Sequence, residues 1–166
     1  MDNNGYADQY LLPFIKVQDV VCRTSGGTEK CYYIIDKVVN EVEAKTYCSS
    51  LDSTARLLSI HSAEEATFVT GLLKGHGKFP ADIWLGLEHG AGGYYRWVDG
   101  QSSDYTNWMP GWATAFDDDD GQGRPWGDCS RLAVSEDKSY GFWYTDRCEK
   151  GLAVVCQVTS SVLVNV

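Results

Sequence analysis

The sequence predicts an α+β fold in which two helices precede a run of mainly antiparallel strands. Three features lead there. Helix-start signals stand at Asn40 and Ser62, strand-like apolar segments follow Pro80 without a repeated β-α-β order, and six cysteines occur in 166 residues. An even cysteine number with no C-x-x-C pair reads as three disulfides, which form in an oxidising compartment. A chain of this length fits one domain around one core.

Residues 1–9 are polar. Over 10–21 apolar side chains are dense (Leu11, Leu12, Phe14, Ile15, Val17, Val20, Val21) and Pro13 interrupts them, the pattern of an extended arm or edge strand. Cys22 and Cys31 bracket Ser25-Gly26-Gly27-Thr28, a turn-forming stretch, which predicts a hairpin closed by its own disulfide. Tyr32-Tyr33-Ile34-Ile35 reads as a strand. Asn40 can accept an exposed amide of a first helical turn and Glu43 stands three residues on, so a helix begins here. Its Ala44, Tyr47, Cys48 and Leu51 share one face. Leu57-Leu58-Ser59-Ile60 fits a short connection into the core. Ser62 and Glu65 form a capping box for a second helix, expected to run to about Leu73, before Gly75 and Gly77. Strands are expected at 83–87, 94–98, 130–134, 141–145 and 152–157. The organisation is then an N-terminal arm over 1–21, a body over 22–158 and a tail over 159–166.

Lysine and arginine total 14 against 23 acidic residues, a formal charge of -9. No basic cluster interleaves with aromatics, which argues against nucleic acid, and an anionic membrane surface would repel the chain. No apolar run approaches the ~20 residues of a membrane span. Asp2-Asn3-Asn4-Gly5 offers neither a basic n-region nor an apolar h-region. The expectation is therefore the mature part of a secreted product behind an added methionine. Catalysis finds little support. His61, His76 and His89 lack metal-binding spacing, and neither a G-x-S-x-G elbow nor a phosphate-binding glycine loop occurs. Disulfides claim the thiols, and no carboxylate pair is placed by pattern for acid–base work.

Between Asp99 and Cys129 the chain gives little helix or strand signal but carries Trp108, Trp112 and Trp126 among prolines and glycines. Long loops inside compact domains are usually functional or disordered, and the tryptophans argue against disorder. The segments Trp84-Leu85-Gly86-Leu87, Trp97-Val98-Asp99-Gly100, Tyr105-Thr106-Asn107-Trp108 and Gly141-Phe142-Trp143, ordered among Cys48, Cys129, Cys148 and Cys156, resemble the C-type lectin domain. The resemblance covers 22–157 and puts the family's long binding loop at 99–129. It implies that Cys48 pairs with Cys156, Cys129 with Cys148, and Cys22 with Cys31 as the extra bridge of long-form members. In the chain-entropy model a Cys48–Cys156 bond stabilises by ~4–5 kcal/mol and a Cys129–Cys148 bond by ~3 kcal/mol.

Sugar-binding members of that family hold calcium through a Glu-Pro-Asn or Gln-Pro-Asp tripeptide, an acidic residue before the third conserved cysteine, and a Trp-Asn-Asp tripeptide. Calcium needs ~6–8 hard oxygen donors. Here Met109-Pro110-Gly111 leads to Trp112-Ala113-Thr114 at the first tripeptide, and Trp112 and Ala113 offer no side-chain oxygen ligand. Gly127 takes the acidic place, and Trp143-Tyr144-Thr145 replaces Trp-Asn-Asp. Sliding the register to use Asp146 leaves one residue before Cys148 where the family has two. Asp128 does match an auxiliary calcium carboxylate of the family. In an extended stretch alternate side chains point the same way, so Asp117 with Asp119, or Asp118 with Asp120, could share one cation with Asp128. A solvated acidic loop is the competing reading. Glu64 and Glu65 could hold an ion beneath the second helix, as in some relatives, although Gln157 stands where those relatives often have glutamate.

Trp112 and Trp126 offer flat apolar faces for sugar rings or a protein anchor. Arg124 is the cation of that loop, and Tyr144 completes the candidate ligand contacts. Trp84, Trp97 and Trp108 read as core, and Asp99-Gly100 as a tight turn. The expectation is a secreted recognition module for an extracellular protein or glycan, binding through the 99–129 loop without the usual calcium–sugar site, with calcium the one candidate cofactor. The alternative is a calcium-dependent lectin using the acidic loop.

Overall fold

The computed structural model describes residues 17–89, 95–110, 129–135 and 139–162. Its elements run β1 (Val17–Ser25), β2 (Thr28–Val39), α1 (Glu41–Leu51), β3 (Arg56–Leu57), α2 (Ala63–His76), β4 (Ile83–Leu85), β5 (Leu87–His89), β6 (Tyr95–Trp97), β7 (Cys129–Leu132), β8 (Trp143–Asp146) and β9 (Leu152–Ser161). This is the α+β order the sequence predicts. The larger sheet has the order β1-β2-β9-β4-β7-β8, with β3 also on β9, and β5 pairs with β6 in a small second sheet. Every pairing is antiparallel except β4 with β9.

Local chemistry explains most boundaries. Gly26 and Gly27 have φ of 57° and 77°, the left-handed region that a two-residue hairpin turn requires. Cys22 then faces Cys31 across β1 and β2 and is bonded to it. β2 extends well beyond the apolar Tyr32–Ile35 segment because β1 and β9 pair with its two edges, so ladder hydrogen bonds recruit polar residues as well. Asn40 and Glu43 form a complete capping box on α1. At α2 the Ser62 side chain accepts from Glu65 N, but the Glu65 carboxylate accepts from His61 N instead of Ser62 N. Gly75 does not stop this helix; it runs on to His76 and ends at Gly77, φ 113°.

The expected single strand at 83–87 is divided at Gly86. Its N–H donates to Leu58 O at 2.8 Å and its carbonyl accepts from Val98 N at 2.7 Å. A Cβ at this position would lie 2.5 Å from Val98 Cγ2 and 2.9 Å from Leu57 O. Only glycine permits that approach, and the chain passes here from the large sheet to the small one.

The middle of the large sheet is buried on both faces. Ala153 and Val155 of β9 with Ile83 and Leu85 of β4 pack under α2, against Val69 and Leu73. The alternate residues Leu152, Val154 and Cys156, with Trp84, pack under α1, against Ala44 and Cys48. Period-two alternation thus serves two apolar layers, which is why Leu152–Cys156 reads as a continuous apolar run. The disulfides are Cys22–Cys31, Cys48–Cys156 and Cys129–Cys148, the pairing the resemblance implies. The first apolar layer carries Trp97 and Trp143, and Trp84 donates its indole N–H to Val39 O at 2.8 Å.

Candidate functional site

At the β7–β8 end, Arg131 sits between two carboxylates. Its Nη1 pairs with Asp82, and its Nε lies 2.8 Å from Asp146 Oδ2. Lys150 reaches the same Asp146 oxygen at 3.0 Å. Asp82 also accepts from the amides of Val134 and Ser135 and from the Ser135 hydroxyl. Burial pushes the Asp82 carboxyl up, and these hydrogen bonds with the Arg131 charge outweigh it, leaving the pKa below the usual range. The Arg131 guanidinium lies 4.4 Å from the Tyr144 ring centroid, so this candidate contact residue is a buried strand residue with a cation on its face. Thr145 Oγ1 is buried without a hydrogen-bond partner among the described residues.

A second polar cluster lies between β2, α2 and the turn after β6. Lys30 Nζ donates to Ser59 O at 2.8 Å, to Ser59 Oγ at 3.1 Å and to Glu65. Glu65 further accepts from the Tyr32 hydroxyl and from His61 N, both at 2.8 Å. Burial raises the Glu65 carboxyl, yet the Lys30 charge and these donors bring it below its ordinary value. Burial lowers the Lys30 ammonium, and the Glu65 charge only partly opposes it. The same burial and Glu65 hold the Tyr32 hydroxyl far above its usual range, so it stays neutral. The cation beside Glu65 is thus an ammonium of the chain itself.

Beside it, Asp99 Oδ2 accepts from Ser59 Oγ and lies 2.7 Å from His61 Nε2, with Gln157 Nε2 at 3.4 Å. Burial raises the Asp99 carboxyl, but the His61, Ser59 and Gln101 hydrogen bonds hold it well below the carboxylate range. Asp99 is therefore more than the turn residue its Asp-Gly context suggests, since it ties the start of the 99–129 stretch to the core. Serine, histidine and aspartate stand together here without the geometry of a nucleophilic triad. One ring nitrogen faces both partners, and Ser59 is fully buried.

An aromatic ladder continues from this cluster. His61 meets Trp97 edge-on, Trp97 meets Trp143, and Trp143 meets both Tyr105 and Trp108. Met109 N donates to Trp143 O at 3.0 Å, and Trp143 N to Asn107 O at 2.9 Å, so residues 107–109 are pinned to β8. Trp112, Arg124, Trp126, Asp117, Asp118, Asp119, Asp120 and Asp128 lie outside the described residues. Lys30, Arg131 and the role of Asp99 carry no sequence signal. Their partners stand 29, 49 and 40 residues away, and no local spacing announces such pairs.

Residues 37–158 match the family model of the Lectin C-type domain. The chain belongs to the C-type lectin domain family. It is 31% identical over 134 residues to the Echis multisquamatus protein Snaclec EMS16 subunit beta, covering 80% of this chain and 75% of that one. Over 125 residues it is 34% identical to the human low affinity immunoglobulin epsilon Fc receptor, covering 71% of this chain and 35% of the receptor. Among solved structures, the cow C-type carbohydrate-recognition domain of CD23 superposes with TM-score 0.62 at 28% identity, covering 85% and 99% of the two chains. Human lithostathine gives 0.65 at 24%, covering 84% and 97%.

The calcium that this family often carries finds a poor donor set among the described residues of this C-type lectin domain. Asp146 is held by two cations and Glu65 by a third. A divalent ion would have to displace these side chains to gain its oxygens. The one close grouping of ligand-type side chains among the described residues is Cys22, Glu29 and Cys31, whose sulfurs are bonded to each other.

Proposed function

We propose that this domain is an extracellular recognition module that contacts a protein or glycan through residues 99–129 without a calcium-bridged sugar. The observation that carries this reading is the state of Asp146. It is the carboxylate nearest the family's Trp-Asn-Asp position, and Arg131 and Lys150 already neutralise it. At the other expected ion position, beneath α2, the Lys30 ammonium occupies the Ser59 and Glu65 cradle. Trp112, Arg124 and Trp126 are the proposed contact residues, with Asp99 and the aromatic ladder holding the start of the stretch and the Cys129–Cys148 bond its end. Both partner classes have precedent in the relatives' names, an immunoglobulin receptor on one side and a carbohydrate-recognition domain in the presence of an oligosaccharide on the other.

Thermal unfolding in millimolar calcium and then in EDTA tests the reading. The expected melting temperatures coincide, because an ion that binds the native state would raise one of them. A calcium-dependent rise of several degrees that Asp118→Ala with Asp128→Ala abolishes would move the function to a metal site in the acidic run. Once a ligand is found on a glycan or protein array run in EDTA, Trp112→Ala should weaken it by ~2 kcal/mol. Unchanged affinity would remove Trp112 from the contact.

A further inference from the structure

We propose that the outer edge of β1 is an interaction surface for a second copy of this chain, joined antiparallel about a two-fold axis at Val21. β1 closes one side of the large sheet, and among the described residues it pairs only with β2. Ser25 and Thr28 flank the two-residue Gly-Gly turn, which makes them a hydrogen-bonded pair. Arg23, Val21 and Asp19 follow at alternate places as the positions bonded to β2. The backbone groups of Val20, Cys22 and Thr24 therefore point away from the sheet. In keeping with this, the Val20 amide donates to the Asp19 side chain at 2.9 Å. Such a row of outward donors and acceptors is a template for another strand.

The residues along β1 select that strand. Its charged side chains are Asp19 and Arg23, spaced equally on either side of Val21 and on one face of the sheet. Antiparallel pairing about Val21 sets Asp19 of each copy opposite Arg23 of the other, so the attraction occurs twice. These are non-hydrogen-bonded positions of the new ladder, where opposed side chains lie nearest. Moving the axis by one residue in either direction loses both pairs. Neither charge is locked inside its own copy. Asp19 is exposed, and Arg23 lies 5.9 Å above the Phe68 ring and 3.8 Å from Glu64, whose side chain is 89% exposed, a weak tie. On the other face Val20, 44% exposed, comes against the exposed Cys22 of the second copy. A strand of foreign sequence would not meet this symmetric charge spacing, whereas a second copy meets it by construction. The register irregularity between Val17 and Asp19 limits the contact to the rest of the strand, so the interface is small and the dimer weak.

Sedimentation velocity of the full chain tests the edge, at low salt and from about 10 μM to about 1 mM. A dimer that grows with concentration and weakens as salt is added is expected. Asp19→Arg and Arg23→Asp each turn two attractions into two repulsions and should weaken dimerisation at least about tenfold. An equimolar mixture of these two variants should restore it, because each then meets opposite charges on the other. Melting temperatures check that the variants are folded. Val20→Lys, at an exposed side chain, should weaken the dimer about threefold or more and serves if a charge reversal does not fold. Hydrogen exchange at the Val20 and Cys22 amides should slow as protein concentration rises. A monomer at about 1 mM, a dimer indifferent to both charge reversals, or a mixture that stays monomeric would overturn the proposal. Protection of those amides that does not change with concentration would also overturn it, by assigning the edge to residues of the same chain. Trp112→Ala should leave the dimer unchanged, which separates this edge from the 99–129 contact.

Discussion

Lys30 is a single residue on which three elements converge. Its ammonium joins β2 to the Ser59 carbonyl and to the first turn of α2 through Glu65. Removing one member of a buried pair strands the other, so Lys30→Ala should destabilise by ~3 kcal/mol, measured by urea unfolding. Lys30→Met with Glu65→Gln should cost clearly less, because no charge is then left unpaired. A single mutant as mild as the double would show that the pair does not carry this junction. Asp99 makes the pH prediction. Its folded pKa is depressed below the 3.8 of a free carboxyl, so its contribution is full above that value and fades as pH falls through the folded pKa. Asp99→Asn should therefore lower the melting temperature at neutral pH, and the gap to wild type should narrow in strong acid. A gap independent of pH would mean that shape, and not charge, is what Asp99 supplies.

Elements depend on chemistry of different reach. The start of α1 is local, with Asn40 and Glu43 capping each other's amides, so Asn40→Ala should cost ~1 kcal/mol. Thermal or denaturant unfolding measures it, and no loss would mean that tertiary packing alone sets the helix start. The β4–β5 break is non-local. Gly86→Ala would drive its methyl into Val98 and the Leu57 carbonyl, a loss of ~1–3 kcal/mol, and native-state hydrogen exchange should show Val98 N, whose acceptor is Gly86 O, opening first. Equal protection of that amide in both proteins would contradict the close-contact argument. The sequence shows Gly86 as a residue but not as a break, since the neighbours that crowd it arrive from β3 and from the turn after β6. The extension of α2 past Gly75 has a similar origin. Propensity places the stop early, whereas the left-handed Gly77 ends the helix.

For the molecule as a whole, the disulfides close loops of very different size, with separations of 108, 19 and 9 residues. Replacing Cys48 and Cys156 by alanine should cost ~5 kcal/mol, and replacing Cys129 and Cys148 ~3 kcal/mol. Calorimetry of the two variants checks the order. A reversed order would mean that native packing, and not unfolded-chain entropy, dominates these bridges. Cys48 and Cys156 lie inside the α1 layer, so part of their loss would be packing in any case.

The sequence by itself determined the class of this protein. Capping residues, the Gly-Gly turn, apolar alternation and cysteine number act over a few residues or through simple counting, and so they survive in one dimension. Its tryptophan and glycine segments sufficed for the family resemblance as well. Only the tertiary structure decided which charges meet. Lys30 beside Glu65, Arg131 between Asp82 and Asp146, and Asp99 beneath His61 are encounters of residues far apart along the chain. A carboxylate read as a free metal ligand in sequence becomes a neutralised ion pair when folding delivers a cation to it, and Coulomb attraction depends on that final distance and on how far burial removes the pair from water.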